Sequence, residues 1–166
     1  MAEITNPREL FLHELGDIMY VERALSTEVL PRLISEVRDD EFRQTLEEHL
    51  GQTKRHLTNV EKVFEDLGET PHEEPCLGFE GLKSEHEKLI GEASSDLVDS
   101  IDLGAAARTE CYEIAAYEGL RRMAKAMGED RAVDLLDENL QQEKEALKLV
   151  EKIATRVSKE SAQTVA

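Results

Sequence analysis

A chain of 166 residues with 40% hydrophobic and only 4% aromatic residues is long enough for one domain with a single core. Its formal net charge of -17 argues against binding to a nucleic-acid backbone or an anionic membrane, and no apolar run is long enough to span a bilayer. The N-terminal residues lack the apolar core of a secretory signal, so we expect a cytoplasmic protein with reduced thiols at Cys76 and Cys111.

Apolar residues recur at helical spacing along most of the chain and predict four long helices. Capping and helix-breaking residues predict these bounds: Asn6 or Pro7 to about Val37, Asp39 or Asp40 to Gly68, about Asp96 to Met127, and the joint at Gly128 and Asp130 to about Val157. Pro31 lies inside the first helix and predicts a kink there.

The connections between these helices differ in length, and this difference indicates the fold. Short joints near Arg38 and Gly128 make two helical hairpins, whereas residues 68 to about 95 form a long connection with a short amphipathic helix from Phe79 to Ile90. Two hairpins and a long crossover are typical of ferritin-like bundles. We therefore predict an all-α, ferritin-like four-helix bundle over residues 1–158, with residues 159–166 as a frayed tail.

Polar residues interrupt the apolar stripe of every long helix. The interruptions are Glu22 in the first helix, His49, Gln52 and His56 in the second, Glu110 and Glu113 in the third, and Glu143 in the fourth. Counting residues from the two short joints places Glu22 opposite Gln52, and Glu113 opposite Glu143, at one level of the bundle. Tyr117 follows on the third stripe, and Tyr20 and Tyr112 flank the same layer, where they can donate hydrogen bonds to the carboxylates.

Buried ionised carboxylates require a compensating partner, and a shared cation would compensate several at once. In ferritin-like bundles, carboxylates from two helices and a Glu-x-x-His pair from each of the other two hold two metal ions. Here Glu22, Glu113 and Glu143 occupy three bridging places and the neutral Gln52 the fourth, and neither helix expected to carry a Glu-x-x-His motif has one. The alternative is a hydrogen-bonded carboxylate network without metal. For each histidine, a role as a buried core residue and a role as a metal ligand are equally compatible with the sequence.

Several stretches of the chain also resemble a known family. They are ELFLHELGDIMYVERAL, EEHLGQTKRH, PCLGFEGL, ECYEIAAYEGLRRMAKAMGED and QQEKEA. Together they resemble the YciE/YciF family of ferritin-like stress proteins over about residues 8–157. The resemblance implies a homodimer, a rubrerythrin-like dinuclear site, and a ferroxidase or stress role in which Fe(II) reacts with oxygen or peroxide.

The same resemblance maps the site onto Glu22, His49, Gln52, His56, Glu110, Glu113 and Glu143. It favours two divalent metal ions, with iron first and manganese or zinc as alternatives. Gln142 and Leu147 depart from the family pattern, because relatives often have acids there. Gln52 and Leu147 favour the competing interpretation, a non-catalytic dimeric stress or assembly module with a degenerate or structural metal site.

Overall fold

The computed structural model describes residues 3–164, and within this range the chain is almost entirely helical. The elements are α1 Pro7–Ala24, a π-helical turn Leu25–Val29, α2 Leu30–Glu36, α3 Asp40–Asp66, α4 Leu77–Glu92, a 3₁₀ turn Ser95–Leu97, α5 Val98–Met127 and α6 Asp130–Thr164. The predicted all-α class is confirmed. Among the described helices, none combines the length and the apolarity that crossing a bilayer requires.

The helix boundaries follow the residues that predicted them. Asn6 and Asp39 accept hydrogen bonds from Glu9 N and Phe42 N at the starts of α1 and α3. Gly68 and Gly128 have φ of 75° and 79°, the left-handed conformation that ends α3 and α5 at little steric cost.

A π-helical turn ends at Val29, two residues before Pro31, where the sequence predicted a kink. Proline has no N–H to give to the preceding turn, and the ring crowds the carbonyl four residues earlier. The widened turn at Leu25–Val29 accommodates this defect while α1, the turn and α2 continue as one helical arm. A defect of the predicted kind is therefore present, in the form of a π-turn.

The last helix is longer than predicted. Residues 159–164, which we expected to fray, continue α6, and Val165 and Ala166 lie outside the described residues. No proline or glycine interrupts this segment, and Arg156 forms an i,i+4 ion pair with Glu160 at 3.2 Å. Helix propensity and this pair explain why the helix does not stop at Val157.

The long crossover returns along the first helical arm. Glu74 N donates to Gly16 O at 3.1 Å, Tyr20 OH donates to Glu80 at 2.8 Å, and Lys83 lies 3.6 Å from Glu28. This path brings the start of α5 to the α2–α3 joint, where the Asp99 carboxylate accepts from Asp39 N at 2.9 Å. The two hairpins thus pack as a ferritin-like four-helix bundle, and α4 lies against its side.

Candidate metal centre

Four glutamates from three helices lie close together at one level in the interior of the bundle. Glu22 comes from α1, Glu110 and Glu113 from α5, and Glu143 from α6, and all four are buried. Each is on the stripe that also carries core residues, so helix packing pulls the acid inward with its apolar neighbours. Burial of the predicted acids is confirmed.

The first candidate ligand group combines three of these acids with a histidine. His49, Glu110, Glu113 and Glu143 each offer one atom, and these atoms lie within 4.8 Å of one another. His49 Nε2 is 3.3 Å from Glu110 Oε1 and 3.7 Å from Glu143 Oε2. The predicted juxtaposition of Glu113 and Glu143 is therefore present.

The second candidate group contains Glu22, His56 and again Glu143. His56 Nδ1 is 2.7 Å from Glu143 Oε1 and 3.4 Å from Glu22 Oε1. Because Glu143 belongs to both groups, two ions placed in them would share it as a bridge. Counting from the joint paired Glu22 with Gln52, but the residue that meets Glu22 is His56, about one helical turn further along α3.

Most of the converging atoms have no hydrogen-bond partner among the residues that the structure describes. These atoms are Glu22 Oε2, His56 Nδ1, Glu110 Oε2, and both carboxylate oxygens of Glu113 and Glu143. The short approach of His56 to Glu143 is thus a charge contact without hydrogen-bond geometry. Buried polar atoms are nearly always paired in folded proteins, so a group left unpaired around one point has the form of a ligand shell.

The acids of this shell do not share one protonation state in the metal-free protein. Burial first, and then the negative charge of Glu143, raises the pKa of both Glu110 and Glu113 well above the usual range. Burial also raises the pKa of Glu22, against the opposing charge of His56. These three side chains hold their protons more tightly than exposed glutamates do.

Glu143 and His56 form the ionised pair of the cluster. Burial alone would raise the pKa of Glu143, but the contact with His56 and the nearby His49 outweigh it and lower that pKa to about 2. Burial opposes protonation of His56, yet the charges of Glu22 and Glu143 raise its pKa to about 10. A cation entering the site would compete with these protons for the same oxygen and nitrogen atoms.

Each histidine has an amide oxygen at the ring nitrogen that does not face the acids. Gln52 Oε1 lies 3.3 Å from His49 Nδ1, and Gln142 Oε1 lies 3.0 Å from His56 Nε2. The predicted position of Gln52 between carboxylates is not the one that the structure shows, because its half-buried amide lies behind His49. Such partners accept the outer N–H and leave the inner nitrogen free to bind a metal.

A buried polar chain that sequence reasoning missed supports the cluster from one side. Tyr117 OH donates to Glu22, Asn139 donates to Tyr117 OH at 3.1 Å, and Asn59 donates to Asn139 at 2.9 Å. Asn139 lies four residues before Glu143, so its place on the α6 stripe was a usable signal. Asn59 lies three residues after His56 on the α3 stripe, which was a comparable signal.

We expected Tyr20 and Tyr112 to donate hydrogen bonds to the carboxylate cluster, but neither hydroxyl reaches it. Tyr20 OH donates to Glu80, and Tyr112 OH donates to Asp17 at 3.0 Å beside the Cys76 thiol. Both rings lie on the side of the bundle that the crossover covers, and the sequence did not show where the crossover runs. The thiols of Cys76 and Cys111 are free, as predicted.

The fold and the cluster define this chain as a ferritin-like helical bundle with a buried carboxylate–histidine site. Residues 6–163 match the family model described as a domain of unknown function, DUF892, and the chain belongs to that family. It is 29% identical over 156 residues to Protein YciF of Escherichia coli K12, covering 92% of this chain and 93% of the relative.

Two solved structures share the whole architecture. The E. coli stress protein YciF superposes with a TM-score of 0.86 at 26% identity, covering 94% of this chain and 99% of that one. YcfI of Rhodopseudomonas palustris, described as a proposed structural protein, superposes with a TM-score of 0.86 at 32% identity, covering 90% and 95%. The resemblance that the sequence motifs indicated is confirmed.

Proposed function

We propose that this protein is a ferritin-like stress protein that binds two divalent metal ions in the bundle interior. The observation that carries the proposal is the set of unpaired, buried oxygen and nitrogen atoms around Glu113 and Glu143. His49, Glu110 and Glu113 would hold one ion, Glu22 and His56 the other, and Glu143 would bind both. Four carboxylates carry the charge that neutralises two divalent cations, which removes the cost of burying them.

The resemblance to the YciE/YciF family places iron first among the metals that such a site can take. Carboxylate oxygens with two imidazole nitrogens suit iron or manganese, and zinc also accepts these donors. Iron would supply one-electron redox chemistry, with Fe(II) as the electron donor and dioxygen or peroxide as the acceptor. The chain itself excludes water with its buried core and holds Glu22 in place through Tyr117.

A non-catalytic role is the second candidate, and two observations favour it. The Glu143–His56 ion pair and the raised pKa values of Glu110 and Glu113 allow the cluster to exist without metal. The relative from R. palustris is described as a proposed structural protein. In this case the protein would act as a dimeric stress or assembly module. The homodimer and the cytoplasmic location are predictions under both candidates.

Elemental analysis of protein purified without chelator or affinity metal tests the proposal. We expect about two metal ions per chain in the wild type and loss of metal in Glu113→Gln, which keeps the size of the side chain but removes its charge. Glu118→Gln on the same helix is the matched control, because Glu118 is paired with Lys144 outside the cluster. Equal metal content in wild type and Glu113→Gln would contradict a dinuclear site and favour the structural alternative.

A further inference from the structure

A cavity of about 50 Å³ lies beside the carboxylate cluster, and the metal site does not account for it. It lies between the π-turn and α2 on one side, α3 and α4 on others, and the first half of α5. His49 and Glu110, which belong to the first ligand group, lie on its lining. The cavity therefore reaches the edge of the proposed metal centre.

The lining extends from the surface to the buried cluster. Leu82 of α4 and Ala106 and Thr109 of α5 are partly exposed, whereas His49 and Glu110 are buried. A molecule that enters between α4 and α5 would meet the cluster at its Glu110 side. Four other cavities, beside Cys111, Leu67, Ser158 and His13, are not lined by any candidate ligand.

The walls of the cavity are mainly apolar. Leu25 and Val29, the first and last residues of the π-turn, face it together with Leu46 and Phe79. Most charged groups on the lining have a partner: Lys83 is paired with Glu28 and Glu80, Arg32 with Glu87, and His86 with Asp102. The exception is Glu110 at the inner end, whose Oε2 has no hydrogen-bond partner among the described residues. A hydrated metal ion would lose its water against the apolar walls before it reached His49 and Glu110, so this route does not suit a cation.

Size and polarity together limit the occupant. A volume of about 50 Å³ exceeds that needed for one water but is well below the 150 Å³ apolar cavity that holds benzene or xenon, and apolar cavities tend to remain dry. We propose that this cavity binds dioxygen and admits it to the Glu110 side of the metal centre. The assignment of dioxygen as the reactant rests on the proposed function, whereas the preference for a small apolar molecule rests on the cavity alone.

Xenon is a suitable probe, because it occupies dry apolar cavities and needs no metal. We expect xenon-pressurised crystals of the metal-free wild type to show xenon between α4 and α5, and Ala106→Leu, which fills the cavity, to lose it. Ala115→Leu is the matched control, since Ala115 lies on the same helix with its side chain exposed. Leu82→Ala, which enlarges the cavity from α4, should raise xenon occupancy and does not alter the bundle core.

The second measurement is the rate at which dioxygen oxidises iron-loaded protein. Ala106→Leu should retain its iron content and react several-fold more slowly, while Ala115→Leu should react like the wild type. Ordered water in place of xenon, or an unchanged rate in a variant that has lost xenon, would overturn the proposal. Xenon binding in a protein that takes up no iron would contradict the proposed function and still support the cavity as a site for a small apolar molecule.

Discussion

At the scale of single residues, the two histidines illustrate how neighbours prepare a ligand. Gln52 and Gln142 each present an amide oxygen to the outer nitrogen of an imidazole whose inner nitrogen faces the acids. This arrangement selects one tautomer and one ring orientation for each histidine. Gln142 thus orients His56, whereas the sequence indicated only that an acid common in relatives is missing at this position.

Replacing Gln142 by leucine should weaken metal binding without removing a ligand. Loss of the outer partner of His56 typically lowers metal affinity about 10–100-fold. Competition with a chelator of known affinity measures the change, and Gln141→Leu is the control because Gln141 is exposed next to it. Equal affinities in the two variants would mean that Gln142 does not orient His56.

The pKa shifts of His56 and Glu143 predict the pH range in which metal-free protein is most stable. A pKa that folding raises gives stability that is complete below the unfolded value and is lost as the pH rises through the folded value. For His56 the pKa is raised from 6.5 to about 10, so this stability is lost as the pH rises through that range. The raised pKa values of Glu110 and Glu113 act in the same direction, and the lowered pKa of Glu143 gives stability that is lost in acid, from 4.5 towards about 2.

Thermal unfolding with chelator present should therefore show a Tm that falls from pH 6.5 to about pH 10. The Tm of metal-loaded protein should instead stay constant over this range and fall in acid, because protons displace the metal from its ligands. Thermal melts followed by circular dichroism, with and without metal, compare the two Tm values directly. A Tm of metal-free protein that rises with pH would show that the acids are already ionised in the folded state.

At the scale of elements, the crossover is held against α1 by a close backbone approach. A Cβ added at Gly16 would lie 3.0 Å from Glu74 Cγ and 3.2 Å from both Glu74 N and His72 O. The carbonyl of Gly16 also accepts a hydrogen bond from Glu74 N. The absence of a side chain at this position allows the segment before α4 to pack on the bundle.

We expect Gly16→Ala to lower the free energy of unfolding by about 1–3 kcal/mol, because backbone atoms must move to relieve the overlap. Gly119→Ala is the matched control in α5, where nothing lies within 4 Å of the added Cβ. The control should gain about 0.5–1 kcal/mol from higher helix propensity. Urea unfolding measures both, and equal effects would mean that the crossover does not depend on this contact.

At the scale of the whole molecule, 37 acidic residues against 20 basic ones surround the site with negative potential. Such a field raises the local concentration of cations and speeds their association, and salt screens it. It has no comparable effect on a neutral gas. Cation uptake and dioxygen entry should therefore respond differently to ionic strength.

Stopped-flow measurement of Fe(II) uptake should show a rate that falls steeply as sodium chloride is added, since screening weakens the attraction. Xenon binding in the cavity should not change over the same series. An uptake rate that is independent of salt would show that the surface charge has no part in loading the site.

The sequence alone determined the helix content, the two hairpins, the crossover and the burial of Glu22, Glu110, Glu113 and Glu143. These features depend on periodicity and on local capping by residues such as Asn6 and Gly128, so they can be read within one segment. Even the defect before Pro31 was predictable, because proline acts on its own helix.

Only the tertiary structure decided which side chains meet. The pairing of Glu22 with His56, the place of Gln142 behind that histidine and the contact of Asn59 with Asn139 depend on helix rotation and offset, to which a count from the joints is insensitive. The cavity beside Glu110 depends on where α4 lies, and the crossover sequence does not specify its path. Local interactions set the elements of this protein, whereas packing between distant segments set its chemistry.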